Sequence, residues 1–285
     1  MVSPEALGTG IVNGFALALV SLGFALVFRA TGVVNFANGV QMVLGGYVGW
    51  LLGTEHGLPF VAAAACAVAA GVISGVFLDR VALAPLRRAS LLAQVIVLLA
   101  ASQVASTLFL SIFGPNPKAM RAYASKSPIV SGLNWSGMDV ILIGVTIGLV
   151  VLLALALNGT DIGLRIRATA SNPTGAAILG INPVVVSTLA WGVGGGLAAL
   201  SGVLVFPTYL LTPDIGQHYT FDSFAAVVLG GFGSFPGAIV GGLILGVIQA
   251  GVADAFSASY SPFVSLGVML IVLLAKPNGL LGARA

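Results

Sequence analysis

Long apolar runs separated by short polar breaks fill the chain. Apolar windows of about 20 residues, the length at which a helix crosses roughly 30 Å of hydrocarbon, fall at 8–28, 33–52, 58–79, 90–113, 138–157, 184–206 and 262–275. Each predicts a membrane-spanning helix. Residues 221–255 break the rule, since an apolar run of about 35 is too long for one ordinary span and too short for two with a loop. The stretch GGFGSFPG, 230–237, carries four glycines and Pro236, and predicts a turn at membrane depth that divides 221–255 into a broken pair entering and leaving by one face. Such a break is tolerated only inside protein or beside a wet cavity. The expected fold is therefore an all-α, polytopic integral membrane protein with about eight membrane segments, some broken or re-entrant. One transmembrane domain covers 1–285, and an internal pseudo-repeat is compatible with the pattern.

Composition makes the lipid reading compulsory. The chain is 58% hydrophobic and 7% charged, against roughly 45–50% and 25% in soluble domains. Nineteen charged side chains cannot cover a soluble domain of this size. The net charge of +3 reflects scarcity of both signs, and no basic cluster interleaved with aromatics marks nucleic acid as a partner. Cys66 is the single cysteine, so no intrachain disulfide or cysteine-based metal site is expected. Neither a metal nor a cofactor is called for. The opening MVSPEALGTG lacks a basic stretch before its apolar run, which predicts a retained first span rather than a cleaved leader.

Lys and Arg gather in short cytoplasmic loops, so their distribution sets the orientation. With the N-terminus outside, Arg29, Arg80, Arg87, Arg88, Arg165, Arg167, Lys276 and Arg284 face the cytoplasm, and only Lys118, Arg121 and Lys126 face outward. Pro207 to Asp222 is then an outer loop. If 33–52 re-enters instead of crossing, the N-terminus moves inside and every later loop keeps its side.

Candidate chemistry sits where polar groups interrupt apolar runs. VVNFANG places Asn35, Phe36 and Asn38, with Gln41 beyond, in a would-be span. Together with Gly230, Gly231, Gly233 and Ser234 it makes two interrupted segments in opposite halves, the pattern of a transport path. The competing reading makes these amides interhelical hydrogen-bond partners and the glycines close-packing sites. Ser234 followed by Pro236 suits the start of a helix, whose N–H groups would favour a carboxylate. The loop 158–182 carries Arg165 and Arg167 and then a short helix through Gly175, Ala176 and Ala177, stopped at Gly180. Its Ala177, Ile178 and Leu179 face needs a protein surface to cover it. An enzyme finds no inventory here: His56 and His218 fall in expected outer loops, and eight carboxylates are scattered. A secondary transporter or channel for a small neutral solute such as urea or a short amide is the rival. It ordinarily shows an ionisable residue within the membrane, and the clear mid-span stretches show none.

Four motifs occur in one order along the chain: Val34-Asn35-Phe36-Ala37-Asn38-Gly39 with Leu44-Gly45-Gly46-Tyr47; Gly163-Leu164-Arg165-Ile166-Arg167-Ala168 followed by Gly180-Ile181-Asn182; Leu229-Gly230-Gly231-Phe232-Gly233-Ser234-Phe235-Pro236-Gly237-Ala238 with Gly241-Gly242; and Lys276-Pro277-Asn278-Gly279-Leu280-Leu281-Gly282. In these the sequence resembles the membrane permeases of ATP-binding-cassette importers for branched-chain amino acids, closer to the LivH type than to the longer LivM type. The resemblance implies a translocation pathway for branched-chain amino acids or a related small solute in a bacterial inner membrane. It also implies two separate ATPase subunits, a second permease that is identical or LivM-like, and an external or periplasmic solute-binding protein. The 158–182 loop would be the coupling element, with Arg165, Arg167, Gly175, Ala176 and Gly180 at the ATPase. The chain itself lacks a G-x-x-x-x-G-K-[ST] loop around any of Lys118, Lys126 or Lys276, consistent with ATP hydrolysis elsewhere.

Overall fold

A computed structural model describes residues 3–87, 89–124, 135–276 and 279–281. Arg88, Lys126 and Arg284 of the charge count, and Pro277, Asn278 and Gly282 of the last motif, lie outside the described residues. The described residues are helical nearly throughout, and an isolated antiparallel bridge joins Lys118 to Leu211.

The helices are α1 (Pro4–Thr31), α2 (Asn38–Gly49, prolonged by a wider π turn over Trp50–Glu55), α3 (Phe60–Phe77, prolonged over Leu78–Leu83), α4 (Leu91–Phe113) and α5 (Gly137–Gly159). They continue as α6 (Asp161–Ser171), α7 (Pro173–Ile178), α8 (Pro183–Val205), α9 (Ile215–Gly230), α10 (Phe235–Ala255) and α11 (Ser261–Ala275). Six, namely α1, α3, α4, α5, α8 and α10, are long and apolar enough to cross a membrane. Their ends follow local chemistry. Ser3 caps α1 by accepting from the Ala6 N–H, and Gly32 closes it at φ 69°. Ser136 and Asp139 form a reciprocal capping box on α5, which satisfies two of the donors a helix start leaves open.

Two helix groups repeat with opposite sense. α1 descends, 32–37 folds back, α2 rises and α3 descends; α8 rises, 206–214 folds back, α9 descends and α10 rises. α1 and α10 pack antiparallel, with Gly10 against Ala250 and Gly14 against Leu243. α3 and α8 do the same, Gly71 facing Gly195 and Gly75 facing Trp191. The first long helix of each group thus lies on the last helix of the other. α2 and α9 cross in the middle, where a methyl on Gly39 would overlap the Gly216 carbonyl and the Thr220 hydroxyl. Among the core side chains Trp191, Phe24, Tyr47 and Phe206 are fully buried. α4, α5 and α11 flank this core and expose apolar side chains such as Leu92, Ile112, Leu155 and Leu274, the surface a bilayer covers.

The structure moves three expected boundaries. The 33–52 span is not one helix, because 33–37 is irregular and α2 begins only at Asn38. The outer loop expected at 207–222 ends at 214, because α9 starts at Ile215. Gln217, His218 and Asp222 lower the hydropathy of its first two turns and hid them from an apolar window. The break near 230–237 is present, but it lies level with the last turn of α1 rather than at mid-depth. There the Phe28 and Phe232 rings are 4.7 Å apart, and a Cβ on Gly233 would lie 3.7 Å from that of Arg29. α10 crosses alone with 21 residues, whereas the 16 residues of α9 span about 24 Å, so α9 begins inside the bundle.

Candidate functional site

The break before α2 is held by its own amides. Asn35 Oδ1 accepts from the Ala37 N–H at 3.1 Å, and its Nδ2 donates to Gln41 Oε1 at 3.0 Å. Gln41 Nε2 donates to the Ser74 hydroxyl at 3.2 Å on α3, and Asn38 Nδ2 donates to the Val20 carbonyl at 2.9 Å on α1. Asn35, Asn38 and Gln41 are at most 1% exposed. Backbone without helical hydrogen bonds needs such partners at membrane depth, so the geometry gives these three a holding role rather than a wall in contact with solvent. Of the oxygen and nitrogen atoms of these three amides, Asn38 Oδ1 is the one with no partner among the described residues. Phe36 is different. It is half-buried and joins Phe24, Phe221 and Phe224 in an aromatic group, 6.5 Å from Phe221.

The second set of candidates lies at the end of the bundle where α1 finishes and α10 begins. Gly231 and Gly233 take φ of 108° and 74°, conformations that glycine adopts without strain, and Ser234 caps α10 by accepting from the Gly237 N–H at 3.1 Å. Gly230 packs against Gly237. Gly233 and Ser234 line a cleft of about 830 Å³ together with Arg29, Arg87, Thr169 and Trp191. Beside it Asp79, 1% exposed, accepts from the Ser187 hydroxyl at 2.7 Å, from Thr188 at 2.6 Å, and from Arg87 through both carboxylate oxygens at 3.1 Å. This clamp ties the end of α3 to α8 and to the turn before α4. Sequence gave only the arginines, because nothing in LDRVALAPLRR shows that the aspartate turns inward.

On the same end, α6 and α7 lie across the foot of α8. Arg165 is exposed, while Arg167 is half-buried and donates to Asn158 Oδ1 at 3.2 Å. Gly175 is half-buried and Gly180, at φ 83°, is exposed. Ala176 is buried at 4%, so it holds α7 in place and offers no surface to a partner. Ile178 and Leu179 stand out instead, 82% and 80% exposed.

The residues that sequence missed lie on α9 and its neighbours. Asp222, expected in an outer loop, is packed between α9 and α11, where its Oδ1 accepts from the Ser265 hydroxyl at 2.5 Å. Ser265 accepts in turn from Gln249 Nε2 at 2.7 Å, and Gln249 Oε1 accepts from Asn13 Nδ2 at 3.0 Å. The expectation that no ionisable residue lies within the spans is thereby corrected. His218, also expected in a loop, is on α9 one turn earlier. Period-3.6 spacing of Asp214, His218 and Asp222 was the available signal.

Comparison with known proteins agrees with this architecture. The family model described as branched-chain amino acid transport system / permease component matches residues 6–273. The Pseudomonas aeruginosa high-affinity branched-chain amino acid transport system permease protein BraD is 31% identical over 98% of this chain and 95% of its own. The Escherichia coli K12 protein LivH, of the same description, is 31% identical over 96% and 93%. The Escherichia coli K12 ribose import permease protein RbsC is 25% identical over 92% and 82%. Among solved structures, PsaBC from Streptococcus pneumoniae in complex with Fab shares the fold at a TM-score of 0.51 and 13% identity, over 95% of this chain and 91% of that one. The chain, a multi-pass membrane protein, belongs to the family of permease components of branched-chain amino acid transport systems.

Proposed function

We propose that this chain is the membrane-spanning subunit of an ATP-driven importer that carries branched-chain amino acids, or a related small solute, across a bacterial inner membrane. Relatedness over nearly the whole chain to transport permeases carries the reading. The geometry supports it: two fold-back segments place the starts of α2 and α9 inside the bundle, the arrangement in which transporters build paths from half-helices. Two ATPase subunits supply the energy, a second permease, identical or homologous, completes the path, and an external solute-binding protein delivers the solute. The α6–α7 elbow is the coupling element. Its exposed Ile178 and Leu179 need cover, and Arg165, Arg167 and Gly180 flank them.

Replacing Arg165 and Arg167 together by Glu should loosen the ATPase, since reversing rim charges costs on the order of one to a few kcal/mol. The measurement is the amount of ATPase copurifying with the membrane-inserted variant. Full retention of the ATPase with normal uptake would remove the coupling assignment.

A further inference from the structure

Beyond the family assignment, the first two turns of α9 carry chemistry that the fold alone does not require. Asp214, Gln217, His218 and Phe221 are exposed on one face, flanked by α4 and α11. On the α4 side, Gln217 Nε2 donates to Gln103 Oε1 at 2.6 Å, with both side chains exposed. Gln103 stands near the middle of the 23-residue α4, about 15 Å from its outer end. On the α11 side stands Asp222, whose relay through Ser265 and Gln249 reaches Asn13 on α1. Gln249 is six residues from the outer end of α10, about 9 Å inside it. Ser265 donates to Asp222 Oδ1, and the Asp222 side chain is half-buried at the seam of α9 and α11. Two of the eight acids and one of the two histidines of the chain therefore follow one another along one side of the first two turns of α9, with Asp222 at its α11 edge.

Lipid is a poor neighbour for such groups. A carboxylate facing hydrocarbon costs about 2.5–3.5 kcal/mol or more at the centre, and an exposed amide pair adds to that. Water or a solute is the fitting neighbour. The aromatic pair Phe36 and Phe221 borders the same face, so apolar and polar contacts lie side by side, as a short aliphatic amino acid requires.

We propose that this α4–α9–α11 face is the wall along which the solute crosses the middle of the membrane, and that Asp222 selects solutes bearing an ammonium group. The inference rests on the transporter reading and adds to it the place and the selecting residue. The Gln103–Gln217 amides and His218 meet the solute's carboxylate, and Phe36 and Phe221 meet its side chain. Ser265, Gln249 and Asn13 position the carboxylate without touching the solute.

The test uses the assembled complex in proteoliposomes, with leucine and its deaminated 2-oxo acid as probes. Asp222→Asn should reduce leucine uptake at least tenfold, leave ATPase copurification unchanged, and abolish the preference for leucine over the oxo acid. Unchanged leucine uptake and preference would overturn the selecting role. Should that variant fail to assemble, Phe221→Cys in a Cys66→Ser background decides the matter. A charged, membrane-impermeant thiosulfonate should modify it, and leucine should slow the reaction. An unreactive thiol in a transporting complex would overturn the wall. If the unsubstituted complex moves no leucine with ATP, the transporter reading has failed instead, and the thiol reaction still reports whether this face is wet.

Discussion

Replacing Asp79 by Ala should unfasten the end of α3 from the start of α8. Four hydrogen bonds converge on a carboxylate that is 1% exposed. Thr188 keeps an alternative acceptor in the Val184 carbonyl at 2.9 Å, so its loss is small. The Arg87 guanidinium is left without its bidentate partner. Breaking a fully buried pair costs about 3–5 kcal/mol, but the Arg87 side chain is 31% exposed, and water recovers part of that. An expected loss of about 2–3 kcal/mol follows. At roughly 2–4 °C per kcal/mol for a chain of this size, the melting temperature should fall by about 4–12 °C. Arg87→Ala should cost a similar amount, about 2–3 kcal/mol, because it leaves a carboxylate side chain that is 2% exposed with its two hydroxyl donors but without its cation. In the double variant the losses should be less than additive by about 1 kcal/mol. Size-exclusion recovery of detergent-solubilised protein after stepwise heating reads all three. A fall below about 2 °C for Asp79→Ala, or strict additivity, would refute the clamp.

Other tests follow from the same geometry. Gly39→Ala should separate α2 from α9, since the added methyl collides with the Gly216 carbonyl; overpacking of this kind costs about 1–3 kcal/mol, visible as reduced folded yield. Gly233→Ala should lose about 1–2 kcal/mol because its φ of 74° disfavours a Cβ, and assembled yield beside uptake shows whether the turn also serves transport. In a Cys66→Ser background, cysteine at Ala119 should react with an impermeant thiol reagent on intact cells and cysteine at Ser171 should not; the reverse pattern would invert the topology.

Lipid-facing helices were legible, because α5 and the outer half of α3 are apolar nearly all round and need no tertiary knowledge. The fold-backs were legible only as interruptions. VVNFANG and Gln41 beyond it marked one through their amides, but whether Asn38 and Gln41 faced a path or the protein depended on Val20 and Ser74, 18 and 33 positions away from them. α9 was the larger miss. A half-helix that lines a polar face has too little hydropathy for an apolar window and too little exposure to be a loop. Asp79 and Asp222 were invisible as sites because partners 108 and 43 positions distant decide their surroundings.

The account rests most directly on energised uptake. The chain should be reconstituted with the ATPase subunits, second permease and binding protein proposed for it, and labelled leucine, urea and ribose measured inside the vesicles. ATP-dependent accumulation of leucine above its external concentration, lost when the ATPase is inactivated, is the predicted result. Equilibration of urea at the same rate with and without ATP, and no accumulation of leucine, would contradict it.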